Sequence, residues 1–183
     1  MTAFFDGLFR WQRRIEAFIL AASILFIAGL TMANVVSRSL LGSSLASTEE
    51  VSRFLIIVVT FVGLSYGAGQ GRHIRMTAFY DMLGLRARKG LRLFITLTTS
   101  ALLFLLASYA IDYVLVVRRL GSVSPVLQVP LYWFYAPAPI GLFLAGIQYA
   151  LAAVRNFRSP GVYLAYDVED VYLSEEHEAE RAL

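Results

Sequence analysis

Long charge-free apolar runs alternate with short arginine-bearing connectors along most of the chain. Residues 17–36, 54–71 and 93–111 contain no Asp, Glu, Lys or Arg, and each is close to the roughly 20 residues that carry a helix across a bilayer core. A fourth charge-free run, 120–154, is too long for one span. Its first part holds Ser122, Ser124, Pro125, Gln128 and Pro130, which suit a loop. With their flanks, the runs predict spans over about 15–37, 51–71, 91–117 and 131–154, with Pro137 and Pro139 kinking or interrupting the start of the last. Two segments show a mixed pattern instead. Phe4, Leu8, Trp11 and Ile15 recur at helical spacing while Arg10, Gln12, Arg13 and Arg14 fall largely elsewhere, predicting an interfacial helix over 3–14. Ile74, Ala78, Phe79, Met82 and Leu83 predict a second over 74–84, with Gly84 as its C-cap. The expected fold is an all-α integral membrane protein: one four-helix transmembrane domain over 1–158 and an acidic tail over 159–183.

Composition agrees with the pattern. With 58% hydrophobic residues and a mean hydropathy of +0.64, a soluble globular domain is excluded. Arg10, Arg13 and Arg14 precede the first run, and Ser44-Leu45-Ala46 resembles a cleavage site. A signal-peptide core is only about 7–15 residues long, however, so the run reads as a retained span, and the Arg13-Arg14 doublet as an ordinary membrane boundary. There is no cysteine, which removes disulfides, thiol catalysis and cysteine-held metal clusters.

Charge placement then predicts orientation. Arg10, Arg13, Arg14, Arg72, Arg75, Arg86, Arg88, Lys89, Arg92, Arg155 and Arg158 fall on one side of the spans, and only Arg38, Arg53, Arg118 and Arg119 on the other. By the positive-inside rule both termini are cytoplasmic and the 37–53 and 112–130 connectors face out. The net charge of +3 hides a tail of opposite sign, where Arg181 stands against Asp167, Glu169, Asp170, Glu175, Glu176, Glu178 and Glu180. That tail reads as a solvated, partly helical end. The basic residues sit at span ends, beside anionic membrane lipids, so nucleic acid is not an expected partner.

The span interiors offer little chemistry. Asn34, near the outer end of span one, reads as a packing residue, as do Thr96, Thr98, Thr99, Ser100 and Ser108, whose hydroxyls can return to their own helix. With two histidines, one of them His177 in the acidic tail, the chain cannot supply a transmembrane haem pair. His73, between Arg72 and Arg75, reads as an interfacial residue. No metal, cofactor or catalytic constellation is expected. Gly63, Gly67 and Gly71 recur every four residues along span two, with Ala68 and Gly69 alongside, making a strip that admits another helix closely. Ala138, Gly141 and Ala145 offer a similar face on span four. At the start of span two, Ser47 and Glu50 have capping-box spacing and Glu49 and Arg53 are four apart. Local capping and contact with another subunit both explain that cluster. Asp112, Arg118 and Arg119 read as solvated span-end charges.

Glu49-Glu50-Val51-Ser52-Arg53 opening span two, the small-residue run ending in Gly71-Arg72-His73-Ile74-Arg75, and Ser124-Pro125-Val126-Leu127-Gln128-Val129-Pro130 before span four stand in a fixed order. In these motifs the chain resembles, over residues 11–156, the small membrane subunit of TRAP (tripartite ATP-independent periplasmic) transporters, the DctQ-like family. The resemblance implies a non-catalytic inner-membrane subunit of a secondary importer of organic anions or similar solutes, driven by an ion gradient. It implies two partners, a large multi-span membrane subunit and a periplasmic solute-binding protein. It also implies that Glu49, Glu50 and Arg53 at the outer boundary and Arg72, His73 and Arg75 at the inner one serve assembly; Pro125 and Pro130 in the third motif, and the Gly63/Gly67/Gly71 strip by its spacing, are further candidates for the partner interface. Two other classes compete: an anchor for an enzyme complex, and a self-sufficient homo-oligomeric carrier. The carrier needs a membrane-embedded carboxylate, for which Glu16 is the nearest residue, although Arg13 and Arg14 beside it predict an ion pair at the cytoplasmic edge.

Overall fold

The computed structural model describes residues 2–70, 85–158, 163–165 and 168–169. Its main elements are α1 (Thr2–Leu41), α2 (Ala46–Gly69), α3 (Leu85–Arg119), a single turn α4 (Tyr132–Tyr135) and α5 (Pro137–Arg158). Four helical segments, Trp11–Leu40, Ala46–Gly69, Gly90–Arg119 and Tyr132–Phe157, are long and apolar enough to cross a membrane. The fold is therefore all-α in its membrane part, as the run pattern predicts. The predicted interfacial helix at 74–84, with its Gly84 cap, lies outside the described residues. No break separates 3–14 from the first span, because α1 runs on as one 40-residue helix, about 60 Å long at 1.5 Å per residue.

The helices do not surround a common centre. α1 packs on α2, α2 on α5, and α5 on α3, so they stand in a row in the order α1-α2-α5-α3. The core lies where α2, α3 and α5 meet, around Ala68, Leu103, Ala107, Leu142 and Ala145. Ala152 and Ala153 continue the buried side of α5. These residues are small for a physical reason. Lipid tails are as apolar as leucine, so close backbone approach and dispersion, not withdrawal from water, hold membrane helices together. At Gly141 a Cβ would lie 2.4 Å from the Phe61 carbonyl oxygen, and at Gly69 2.3 Å from Gln148 Oε1. Leu25, Met32, Phe94 and Leu97, by contrast, point away from the row and stay exposed.

Polar side chains stitch neighbours together. Ser100 Oγ donates to the Gly146 carbonyl at 3.0 Å, joining α3 to α5, so it does not return to its own helix as its type predicts. Thr96 and Ser108 do, donating to Arg92 O, Leu93 O and Leu105 O. Among the described side chains of α1 the buried ones are Glu16, Ser23 and Ser37, seven and fourteen apart on one seam facing α2. α4 ends at Tyr135, with Ala136 as its C-cap, and α5 starts at Pro137. The prolines at 137 and 139 supply no N–H to the preceding turn, which is the interruption the sequence predicts. After α5, the described part of the acidic tail is not helical. Tyr163–Ala165 and Val168–Glu169 pair as short antiparallel strands, in keeping with aromatic and β-branched residues in this stretch.

Candidate assembly site

Two glutamates organise the two ends of the row. At one end, the connector from α3 to α5 folds back on itself. Val123 bridges Pro130, Ser124 N–H donates to Val129 O at 2.9 Å, and Leu131 N–H donates to Ser122 O at 2.9 Å. Between them residues 124–128 make one helical turn, closed by Gln128 N–H to Ser124 O at 3.2 Å. Pro125 suits the first position of such a turn because it has no N–H to satisfy. The next two N–H groups, of Val126 and Leu127, donate to Glu50 Oε1 and Oε2, each at 2.9 Å. The Ser124 hydroxyl also donates to Glu50. A side chain from another helix thus caps the turn, doing what an N-cap does within one segment. Gln128 closes it with φ +54°, in the left-handed region, and its amide donates to Pro125 O at 3.0 Å.

The capping box expected from Ser47 and Glu50 is therefore not made. Leu45 is the N-cap of α2, without a side-chain bond. Its N–H donates instead to Asn34 Oδ1 of α1 at 2.8 Å, while Ser37 Oγ donates to Ser43 O. Asn34 thereby holds the α1–α2 turn. Glu49 and Arg53 remain exposed at the start of α2. Around this end, Phe54 meets Phe134 edge-on at 5.3 Å, Tyr113 meets Tyr135 at 5.2 Å, and the Arg118 guanidinium lies 6.0 Å from the Tyr132 ring centre. Such an aromatic belt is where a bilayer surface falls.

At the opposite end Glu16 is 4% exposed. Its Oε1 accepts from Ser65 Oγ at 2.7 Å and from Gln12 Nε2 at 2.9 Å. Its Oε2 is buried with no hydrogen-bond partner. Within the membrane edge predicted for it, this carboxylate faces the α1–α2 seam. Beside it opens a groove of about 280 Å³, with Val58, Val62 and Ser65 on α2, Ile15 and Ile19 on α1, and Ile140 and Leu144 on α5 contributing to its lining. The row arrangement makes this groove, since none of the described residues fills the angle between α1 and α5 over α2.

The glycine strip divides. A Cβ at Gly63 would meet Leu20 Cδ2 at 3.7 Å, an ordinary contact, and one at Gly67 would meet nothing within 4 Å. Gly71, Arg72, His73 and Arg75 lie outside the described residues. Gly141 and Ala145 are used inside the chain, against Phe61 and the core. Sequence reasoning missed Ser65, 49 residues from Glu16. Gln12 was within reach of it, at four residues from Glu16 on one helix. Among the described residues no group of three or more His, Asp or Glu could hold a metal ion.

The family model for the DctQ component of tripartite ATP-independent periplasmic transporters matches residues 27–159. The chain is 44% identical over 165 residues to the ectoine TRAP transporter small permease protein TeaB of Halomonas elongata, covering 90% of this chain and 86% of that protein. It is also 22% identical over 159 residues to the sialic acid TRAP transporter permease protein SiaT of Haemophilus influenzae, matching 85% of this chain but 25% of that longer protein. The chain belongs to the DctQ family: it is a small permease subunit of a TRAP transporter.

Proposed function

We propose that this subunit does no chemistry of its own and extends the fixed scaffold of the transporter, pairing with a large membrane subunit that carries the solute path. The 44% relationship to a small permease along nearly the whole chain carries this reading. It is supported by the longer permease of which a quarter matches this chain, as expected if small and large parts are joined there in one polypeptide. A soluble periplasmic protein would deliver the solute, and an ion gradient would drive uptake. The solute is an organic anion or a compact polar molecule of the kind named for the relative, ectoine. The subunit sits in the inner membrane with both termini cytoplasmic, the arginine-rich connectors inside and the Glu50 end outside.

The test is purification of the chain, tagged at one end, from its native membrane in mild detergent. A stoichiometric, much larger multi-span protein is expected, and uptake of labelled solute should be lost when this chain is deleted. Recovery of the chain alone as a defined oligomer would overturn the reading in favour of a self-sufficient carrier, for which the buried Glu16 is the one observation in favour. Gly67, with open space beside it, adds a finer check: Gly67→Leu should leave the isolated chain folded and lower recovery of the large subunit. Reporter fusions at the two termini, active only on the cytoplasmic side, test orientation.

A further inference from the structure

We propose that the connector between α3 and α4, residues 120–131, is seated in the headgroup layer of the bilayer and not in the water beyond it, with Glu50 as the group that fits its backbone for that place. The connector carries no charged side chain. Leu120, Val123, Val126, Leu127 and Val129 all stand exposed, Leu120 at 71% and Val126 at 48%. From Leu120 to Pro130 only Ser124 is buried. A run of apolar side chains held out from the fold is unfavourable in water and favourable against lipid. The connector at the same end that joins α1 to α2, Gly42-Ser43-Ser44-Leu45, is small and largely polar instead.

The backbone fits the same place. A segment that leaves water must satisfy its amides internally. Pro125 and Pro130 have no N–H to satisfy. The N–H groups of Ser124, Gln128 and Leu131 donate to carbonyls of the connector itself. Val126 and Leu127 hold amides that the first turn of a helix leaves open, and both are taken by the Glu50 carboxylate, which reaches across from α2. In water the solvent would serve these two amides, so a carboxylate fixed over them matters most where water is scarce. Depth agrees. Glu50 stands four residues before Phe54, about 6 Å along the helix, and Phe54 belongs with Phe134 to the aromatic belt. The headgroup layer is about 5–8 Å thick on each side of the hydrocarbon core, so a turn capped by Glu50 falls within it. Arg118 and Arg119 before the connector and Trp133 after it are exposed, and guanidinium and indole groups are the ones that settle at this level.

The experiment uses the full chain, reconstituted in vesicles of phosphatidylethanolamine and phosphatidylglycerol. The chain has no cysteine, so Val126→Cys takes a single nitroxide spin label. Collisions of the label with oxygen, which concentrates in lipid, are compared with collisions with a water-soluble nickel chelate. Ser44→Cys, in the polar connector, supplies the water reference, and Ile56→Cys, at an exposed position within α2, the lipid one. The label at 126 should read between the two. A reading equal to that at 44 would overturn the proposal. Glu50→Ala should shift the label at 126 towards the water reference, and Glu50→Gln, which keeps one acceptor for two amides, should shift it less. No shift in either variant would overturn the role given to Glu50. In the assembled transporter the label should keep its lipid reading. Loss of both kinds of collision there would mean that another protein covers the connector, and would overturn lipid as its surroundings while leaving the scaffold reading intact.

Discussion

Glu50 and Glu16 sit near opposite ends of the same helix row, and each reaches across to another helix or loop, yet they end in different states. Glu50 has donors at both oxygens, all from the 124–127 turn. Glu16 has two donors at one oxygen and none at the other. The Glu50 end is closed by the chain's own connector, so its chemistry is complete within one subunit. At the Glu16 end, among the described residues, the space beside the carboxylate is a groove. In a single row of helices, completeness at an end depends on what folds back over it, and at the Glu50 end the 124–127 turn does.

The largest expected effect comes from breaking the contact that builds the groove wall. Gly141→Leu would drive a side chain into the Phe61 backbone and should destabilise the α2–α5 pair by about 2–3 kcal/mol, seen as a fall in detergent melting temperature. Glu50→Ala should release the 124–128 turn without disturbing the far end. Hydrogen exchange at Val126 and Leu127 is expected to rise about thirtyfold while amides of α5 near Gly146 keep their protection. An equal rise at both places would mean that the ends are coupled, against the picture of independent closures.

Ser65→Ala removes one of the two donors at Glu16, and Ser65 is 1% exposed. A loss of about 1–2 kcal/mol is expected by thermal or denaturant titration in detergent. An unchanged stability would show that Gln12 alone suffices to hold the carboxylate. The smallest effect belongs to the left-handed residue that closes the Glu50-capped turn. Gln128→Gly relieves the positive φ but gives up the amide bond to Pro125 and some unfolded-state restriction, so a net gain near 0.5 kcal/mol is expected. A clear loss would assign the turn's stability to the Gln128 side chain.

The family and the four spans were legible because they rest on signals that survive without geometry: run length, absence of charge, and short motifs in a fixed order. Glu50 and the 124–130 stretch were each legible as motifs of interest, but not as partners, since capping-box spacing to Ser47 offered Glu50 an equally good local bond. The choice went to the loop because two consecutive amide donors and a hydroxyl converge there. Glu16 was legible as an edge carboxylate, but its partner across the seam was not. Adjacent arginines made an edge ion pair the nearest explanation, and only the α1–α2 seam revealed Ser65 opposite it. Likewise Gly141 and Gly67 look alike in sequence, yet one meets a carbonyl at 2.4 Å from its would-be Cβ and the other meets nothing.

By itself, the sequence determined that the chain is a membrane protein, roughly where it crosses, and to which family it belongs. These follow from local composition, because a bilayer admits few structures and demands about twenty apolar residues for each helical crossing. Only the tertiary structure decided that the helices form a row, that one glutamate is fully bonded and the other half bonded, and which glycines carry contacts. Those outcomes depend on which faces meet. Between helices of near-uniform apolarity, that is set by sub-ångström differences in how closely backbones approach, which no periodicity along the chain records.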